Sequence, residues 1–151
     1  MKVVSVEVSV IVHATEDQAK VSYALRNTLP DSINNDVKLT TQHAEGHYGN
    51  PIKILKTNLT KRKMIDQFFN NIFAKLNAED LKDMMRNLET YVDEERNLYI
   101  RLDKQAAYMG ELRSKQEDPI RIRMKLVDEF GRGKLLIDAV RELIDSYEKV
   151  R

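Results

Sequence analysis

The sequence predicts an α+β fold in which an antiparallel or mixed β-sheet carries helices packed on one of its faces. Three observations favour this class. Some segments alternate apolar and polar residues, as strands with one buried face do, and others repeat apolar residues every three or four positions, as amphipathic helices do. Several predicted strands are joined by hairpin-length connections. The order of elements is β, α, β, β, α, α, β, β, α.

The N-terminal segment predicts a strand followed by a helix. From Lys2 to His13, valines at every second position between Val4 and Val12 alternate with mostly polar residues. Thr15 and Gln18 form a capping-box pattern, after which apolar residues repeat at helical spacing until Pro30 ends the helix.

A hairpin and two helices follow. Val37 to His43 predicts the second strand and, after a glycine-containing turn, Ile52 to Thr57 predicts the third. Thr60 is placed to cap a helix whose wide aromatic stripe should pack across the sheet, and Asn77 begins the next helix.

The C-terminal part predicts two strands and a closing helix. Leu98 to Asp103 and Ile120 to Val127 alternate apolar with mostly charged residues, and a polar loop from Ser114 to Pro119 precedes the second of them. Gly131 to Gly133 breaks the chain before an apolar stripe from Leu136 to Tyr147.

Composition limits the class of protein. The 151 residues fit one domain, residues 1–151, and 42% hydrophobic with 32% charged residues is typical of soluble globular proteins. The chain has neither a run of about 20 apolar residues nor a secretory signal pattern, so we expect a cytoplasmic protein without a membrane span. The absence of cysteine excludes disulfides and thiolate chemistry. With 25 Lys and Arg against 24 Asp and Glu, binding to a polyanion requires local segregation of charge.

Cations on the last two predicted strands are the clearest functional signal. The residues predicted to face away from the helices are Ser5, Glu7, Ser9, Lys38, Thr40, Gln42, Tyr99, Arg101, Asp103, Arg121, Arg123 and Lys125. Alternate residues on a strand lie about 7 Å apart, a spacing comparable to that of nucleic-acid phosphates, so the cations predict an RNA-binding surface. If the RNA is single-stranded, Tyr99 offers a ring for base stacking. Two alternatives stay open. The cations pair with Glu7 and Asp103, or another subunit covers the face.

A second basic cluster, Lys61, Arg62 and Lys63, lies at the start of the third predicted helix, where backbone N–H groups favour phosphate. Lys53 and Lys56 on the preceding strand would enlarge this cluster. The alternative is a solvated turn.

Other motifs argue against metal, nucleotide and catalytic sites. His43 and His47 lie in a glycine-containing segment that favours a turn over the helical register of an i, i+4 metal pair. The turn is expected to project His47 and Tyr48 towards RNA, and the alternative is a hairpin turn whose polar groups satisfy one another. The segment from Gly131 to Lys134 lacks the full phosphate-loop pattern. No nucleophile or acid–base pair is set out in sequence, so we expect no enzyme and no cofactor.

Several stretches of the sequence agree, in order and spacing, with those of a known protein family. They are VHATEDQAKVSYALRNTLP at 12–30, EGHYGNPIKIL at 45–55, and LYIRLDKQAAYMGEL with DPIRIRMKL at 98–126. On these residues the chain resembles a family of small archaeal proteins described as RNA-binding proteins and predicted exosome subunits. The resemblance implies a fold related to the ribosomal protein L5 domain, sometimes described as like a double-stranded-RNA-binding domain, and a role in RNA processing with RNA and exosome or ribosome-related proteins as partners. It implies candidate RNA contacts at His47, Tyr48, Arg101, Lys104, Gln105, Arg121 and Arg123, and it transfers no catalytic residue.

The leading interpretation is therefore a non-catalytic RNA-binding protein. The second is an assembly or scaffold protein whose open sheet face forms a homodimer or docks on a larger complex. An enzyme is the third, and a deep pocket gathering His13, His43 and Glu45 would favour it.

Overall fold

The computed structural model describes residues 1–127 and 136–148, apart from the side chains of residues 147 and 148. Its strands are β1 (Lys2–His13), β2 (Thr40–Glu45), β3 (Pro51–Leu59), β4 (Asn97–Leu102) and β5 (Ile120–Val127). Its helices are α1 (Gln18–Arg26), α2 (Asp31–Asn34), α3 (Arg62–Lys75), α4 (Ala78–Arg86), α5 (Lys104–Tyr108) and α6 (Leu136–Glu148), with a short 3₁₀ turn at Leu88–Thr90. The strands form one sheet in the order β2-β3-β1-β5-β4, and every neighbouring pair is antiparallel. The predicted α+β class is confirmed.

The hydrophobic core lies between one face of the sheet and the helices. Helices α1 and α3 pack on β1, and α6 packs on α3. Helix α3 contributes Phe68, Phe69 and Phe73, which are at most 1% exposed. Along β5 buried residues alternate with half-buried ones, so the sheet keeps a second, partly exposed face. We call this second face the open face. In the described part of the chain, no helix is both long and apolar enough to cross a membrane.

The starts of two helices differ from the predictions. Asp17, not Thr15, caps α1, because its carboxylate accepts a hydrogen bond from the Ala19 N–H at 2.9 Å. The residues before it form a turn in which the Glu16 N–H donates to the His13 carbonyl at 2.9 Å. At α3, Lys61 rather than Thr60 occupies the N-cap position and makes no side-chain capping bond.

The second strand begins and ends later than predicted. Val37 is 6% exposed but lies in the connection after α2, and the ladder with β3 begins at Thr40. The two short helices α2 and α5 were not predicted, because four or five residues are too few to show a helical period. In β1 a register shift between Val3 and Ser5 buries Val3, rather than Val4, in the core. The predicted break at Gly131 to Gly133 and the side chain of Tyr147 lie outside the described residues.

Candidate nucleic-acid interface

The register of the sheet brings the predicted strand cations together on the open face. Arg101 of β4 lies opposite Arg121 of β5, and Arg121 lies opposite Ser9 of β1. Ser9 in turn lies opposite Lys56 of β3. Because adjacent strands are about 4.8 Å apart, these four residues form one row that crosses four strands. We call Arg101, Arg121, Ser9 and Lys56 the cationic row.

Glu7 holds the arginines of β5 in place. Its side chain is 11% exposed and its carboxylate accepts hydrogen bonds from Arg121 at 3.3 Å and from Arg123 at 3.0 Å. The Lys56 ammonium is 3.9 Å from the same carboxylate. Among the outward-facing residues of the described strands, Glu7 is the single acid beside at least five cations, so the open face stays positive. The fourth and fifth of these cations are Arg101 and Lys125.

This pairing agrees with part of the alternative in which the strand cations pair with Glu7 and Asp103. Arg121 and Arg123 do pair with Glu7, but both side chains remain 41% exposed. Asp103 does not join them. It lies beyond the end of β4, at the N-cap of α5, and its carboxylate is 3.8 Å from the Lys115 ammonium.

Tyr99 lies among the arginines and not apart from them. The guanidinium carbons of Arg101 and Arg121 are 5.3 and 5.7 Å from the centroid of its ring, within range of a cation–π interaction. Tyr99 also hydrogen-bonds to Asp93. Burial raises the pKa of Asp93, but hydrogen bonds from Asn97, Tyr99 and the Glu95 backbone outweigh it and leave that pKa below its usual value. Tyr99 is therefore anchored and positions both guanidinium groups, so its ring is less free for base stacking than the sequence suggested.

Two concavities meet at the cationic row. One, of about 420 Å³, is lined by all four residues of the row together with Ile11, Ile54, Gln116 and Pro119. The other, of about 370 Å³, is lined by Lys38, Thr40, Lys56 and Lys61 among others. Since Lys56 lines both, it connects the strand cations with Lys61 at the start of α3. The exposed Asp36 also lines the second concavity, so three lysines share that end of the surface with this acid.

The predicted cluster at the start of α3 is divided. Lys61 is exposed and lines the second concavity, and Lys63 is exposed. Arg62 is paired with Asp66 at 3.1 Å. Lys53 does not enlarge the cluster, because it faces the helices and donates to the Gln18 side chain at 2.9 Å. Residues three apart on a strand point to opposite faces, so only Lys56 joins the open face.

Lys104 lies in an ion network with other side chains of the chain. Its side chain is 13% exposed, and its ammonium is 3.1 Å from Glu16, 3.0 Å from Asp118 and 2.7 Å from the Ile11 carbonyl oxygen. The His13 imidazole lies 2.8 Å from the other Asp118 oxygen. Burial raises the pKa of Asp118, but the hydrogen bonds from His13 and Lys104 more than offset this and lower it overall. Donor atoms of His13, Glu16 and Asp118 lie within 4.8 Å of one another, yet the Lys104 ammonium already supplies the neighbouring positive charge.

Sequence reasoning missed this network, because its members come from three separate segments with no shared spacing. The neighbouring candidate Gln105 is exposed and lines a concavity between α1 and α5 instead of the open face.

His47 and Tyr48 lie at the tip of the β2–β3 hairpin. Tyr48 is 87% exposed, and the two rings meet edge to face with centroids 5.0 Å apart. Gly49 has a φ of +79°, a value that suits glycine and fixes the turn. A concavity of about 200 Å³ lies near the same end of β2, and it is lined by His13 and His43 but not by Glu45.

These features define an antiparallel α+β protein with a basic open sheet face. The chain belongs to the RNA_binding family: the family model, described as "RNA binding", matches residues 5–126. The chain is 35% identical over 144 residues, 94% of each sequence, to "RNA-binding protein PAB1135" of Pyrococcus abyssi. The crystal structure of protein AF2318 from Archaeoglobus fulgidus has a TM-score of 0.84 at 36% identity, covering 94% of this chain and 99% of that one. Mth689, a DUF54 protein from Methanothermobacter thermautotrophicus, has a TM-score of 0.74 at 29% identity, covering 94% and 98%.

Proposed function

We propose that this protein is a non-catalytic RNA-binding protein and that it binds RNA on the open face of its sheet. The observation that carries the proposal is the strand register, which aligns Arg101, Arg121 and Lys56 in one row. The family description and the name of the Pyrococcus abyssi relative support RNA as the partner. They name binding and no reaction, which supports a non-catalytic role.

The electrostatics favour a polyanion on this face. The overall charge of the chain is +1, so attraction to RNA has to arise from an uneven charge distribution. The open face has such an uneven distribution. On its described strands at least five cations surround a single carboxylate, that of Glu7, whose side chain is 11% exposed. Lys38 and Lys61 continue the line of cations past the edge of the sheet towards α3, where Asp36 is the one acid among the described residues that line the same concavity. Phosphate contacts made here would release counterions, so binding would weaken steeply as salt rises.

The other predicted contacts differ in how well they fit this surface. Arg123 lies on the open face next to the cationic row, and Lys125 lies two residues further along β5, where its ammonium donates to the Glu95 carbonyl. His47 and Tyr48 are accessible at the hairpin tip. Tyr99 acts by holding two guanidinium groups. Lys104 is held in ion pairs at 13% exposure and Gln105 lies beside α1, so we assign these two no RNA contact. Arg62 pairs with Asp66 but its side chain stays 45% exposed, as those of Arg121 and Arg123 do beside Glu7, so it stays a predicted contact.

The test uses neutral substitutions, because reversing charge beside Glu7 would gather several carboxylates and destabilise the sheet. We expect the double variant Arg101→Gln/Arg121→Gln to bind RNA about tenfold or more weakly, with a salt slope smaller by about 0.7 for each phosphate of single-stranded RNA that it no longer neutralises. The matched control is Lys20→Gln/Lys75→Gln, which removes two exposed cations from α1 and α3. Equal affinity and slope in wild type, test and control variants would refute the assigned surface.

The expected protein partners, oligomeric state and location in the cell stay predictions. Association with an exosome or a ribosome-related complex, a homodimer and a cytoplasmic location rest on the resemblance and on composition. Light scattering of the purified protein tests the homodimer, and a monomer at all accessible concentrations would exclude it.

A further inference from the structure

The open face has an apolar row directly beside the cationic row. Ile11 of β1 lies opposite Ile54 of β3, and both point out of the sheet on the same side as the cationic row. Pro119, just before β5, lines the same concavity of about 420 Å³. We call Ile54, Ile11 and Pro119 the apolar row. It lies two residues further along each strand than the cationic row, a distance of about 7 Å.

The apolar row is accessible. Ile11 is 36% exposed, one of the few large apolar side chains of the described residues that are exposed to that extent. Ile11 does not stand alone, because the half-buried Ile54 and Pro119 line the same concavity, and together they offer a small apolar surface that suits an apolar ligand group. The concavity falls in the volume range of about 300–1,000 Å³ that holds small ligand groups.

An unpaired nucleotide has the chemistry to fill both rows. It carries an anionic phosphate at one end of its sugar and, at the other, a flat base whose faces are apolar and whose edges are polar. A duplex offers phosphates and sugars but keeps its bases stacked inside, so an apolar row would gain little from it. Tyr99 is less free to serve as the stacking surface, because its ring is engaged by Arg101 and Arg121. The side chain of Gln116 adds a hydrogen-bonding group to the wall of the same concavity.

From this geometry we propose that the open face selects single-stranded RNA, with an unpaired base over the apolar row and its phosphate on the cationic row. This inference rests on the proposed function, since it requires that the face bind RNA. It adds the class of RNA and the position of the base. The charge of the rim excludes a purely apolar occupant, because Lys56, Arg101 and Arg121 border the apolar side chains.

The experiment compares three probes by fluorescence anisotropy: a single-stranded RNA without secondary structure, the same strand annealed to its complement, and a strand of equal length with abasic positions. The test variant is Ile11→Thr/Ile54→Thr, which keeps β-branched residues at both positions. The matched control is Val127→Thr, a β-branched residue that is 39% exposed and lies opposite Lys2 at the far end of the sheet. Circular dichroism and thermal melts check that all variants fold.

We expect the wild type to prefer the single strand over both other probes. The double threonine variant should lose about five- to tenfold in affinity for the single strand and little for the duplex or the abasic strand, because only the base contact is removed. Val127→Thr should behave as wild type. Duplex binding equal to or tighter than single-strand binding would overturn this inference and leave the proposed function standing. A single-strand preference that is unchanged in the double variant would overturn the assigned base position. Failure to bind any RNA would overturn both proposals.

Discussion

Replacing Glu7 by glutamine should lower the stability of the protein and raise its affinity for RNA. Glutamine keeps the size of the side chain and an oxygen that accepts hydrogen bonds, but it removes the charge that faces Arg121, Arg123 and Lys56. The two arginines are 41% exposed, so each pair contributes about 0.2–1 kcal/mol. With the low exposure of Glu7, the total loss is about 1–2 kcal/mol, which corresponds to a Tm lower by about 2–8 °C.

The change in affinity has the opposite sign. A carboxylate about 7 Å from an RNA phosphate repels it by about 0.6 kcal/mol in water, so removing that charge should strengthen binding about threefold at low salt. The assay is a thermal melt paired with RNA binding by anisotropy at two salt concentrations, and the gain should shrink at the higher one. A folded Glu7→Gln variant with unchanged or weaker RNA binding at low salt would refute the argument that the open face meets RNA.

Three further predictions concern stability. Lys104→Met should cost about 1 kcal/mol in unfolding free energy, because the partly exposed Glu16 and Asp118 lose their ammonium partner, and it should leave RNA affinity unchanged. An unchanged unfolding free energy or a loss of RNA binding would contradict the structural role of Lys104. The pKa of Asp118 is lowered in the folded state, so its contribution to stability is present above its unfolded pKa of about 4 and is lost as pH falls through the folded value. The difference in unfolding free energy between wild type and Asp118→Asn should therefore shrink as the pH falls. Denaturant titrations between about pH 6 and 3 measure this difference. Phe68→Ala, at a fully buried site on α3, should cost about 3–5 kcal/mol in urea unfolding, and a cost under about 1 kcal/mol would contradict the assigned core.

The side chains that face out of each strand could be predicted from the sequence because alternation is local. Arg121, Arg123 and Lys125 are spaced by two and bounded by buried residues, so their common face follows from the period of a strand. The fold class follows from the same local patterns. Cap positions were less predictable, because Thr15 and Asp17 both offer good acceptors and the adjoining turn decides between them.

The site as a whole could not be predicted in this way, because it depends on pairing between distant segments. The sequence around Lys56 does not indicate that Ser9 and Arg121 will lie in the same row, since that follows from two strand registers. The resemblance suggested Lys104 as an RNA contact, but its acidic partners come from segments 88 and 14 residues away in the chain. The apolar row could not be predicted for the same reason, because the position of Ile54 beside Ile11 depends on the pairing of β3 with β1.

The most direct test of the central claim is to map where RNA touches the protein. Ultraviolet crosslinking of the full chain to single-stranded RNA, followed by mass spectrometry of the peptides, requires no assumption about which residues matter. Binding on the open face predicts crosslinked peptides from β1, β3, β4 and β5, reduced in Arg101→Gln/Arg121→Gln and retained in Lys20→Gln/Lys75→Gln. Crosslinks confined to α1, α3 and α4, with the open-face peptides unmodified, would contradict it.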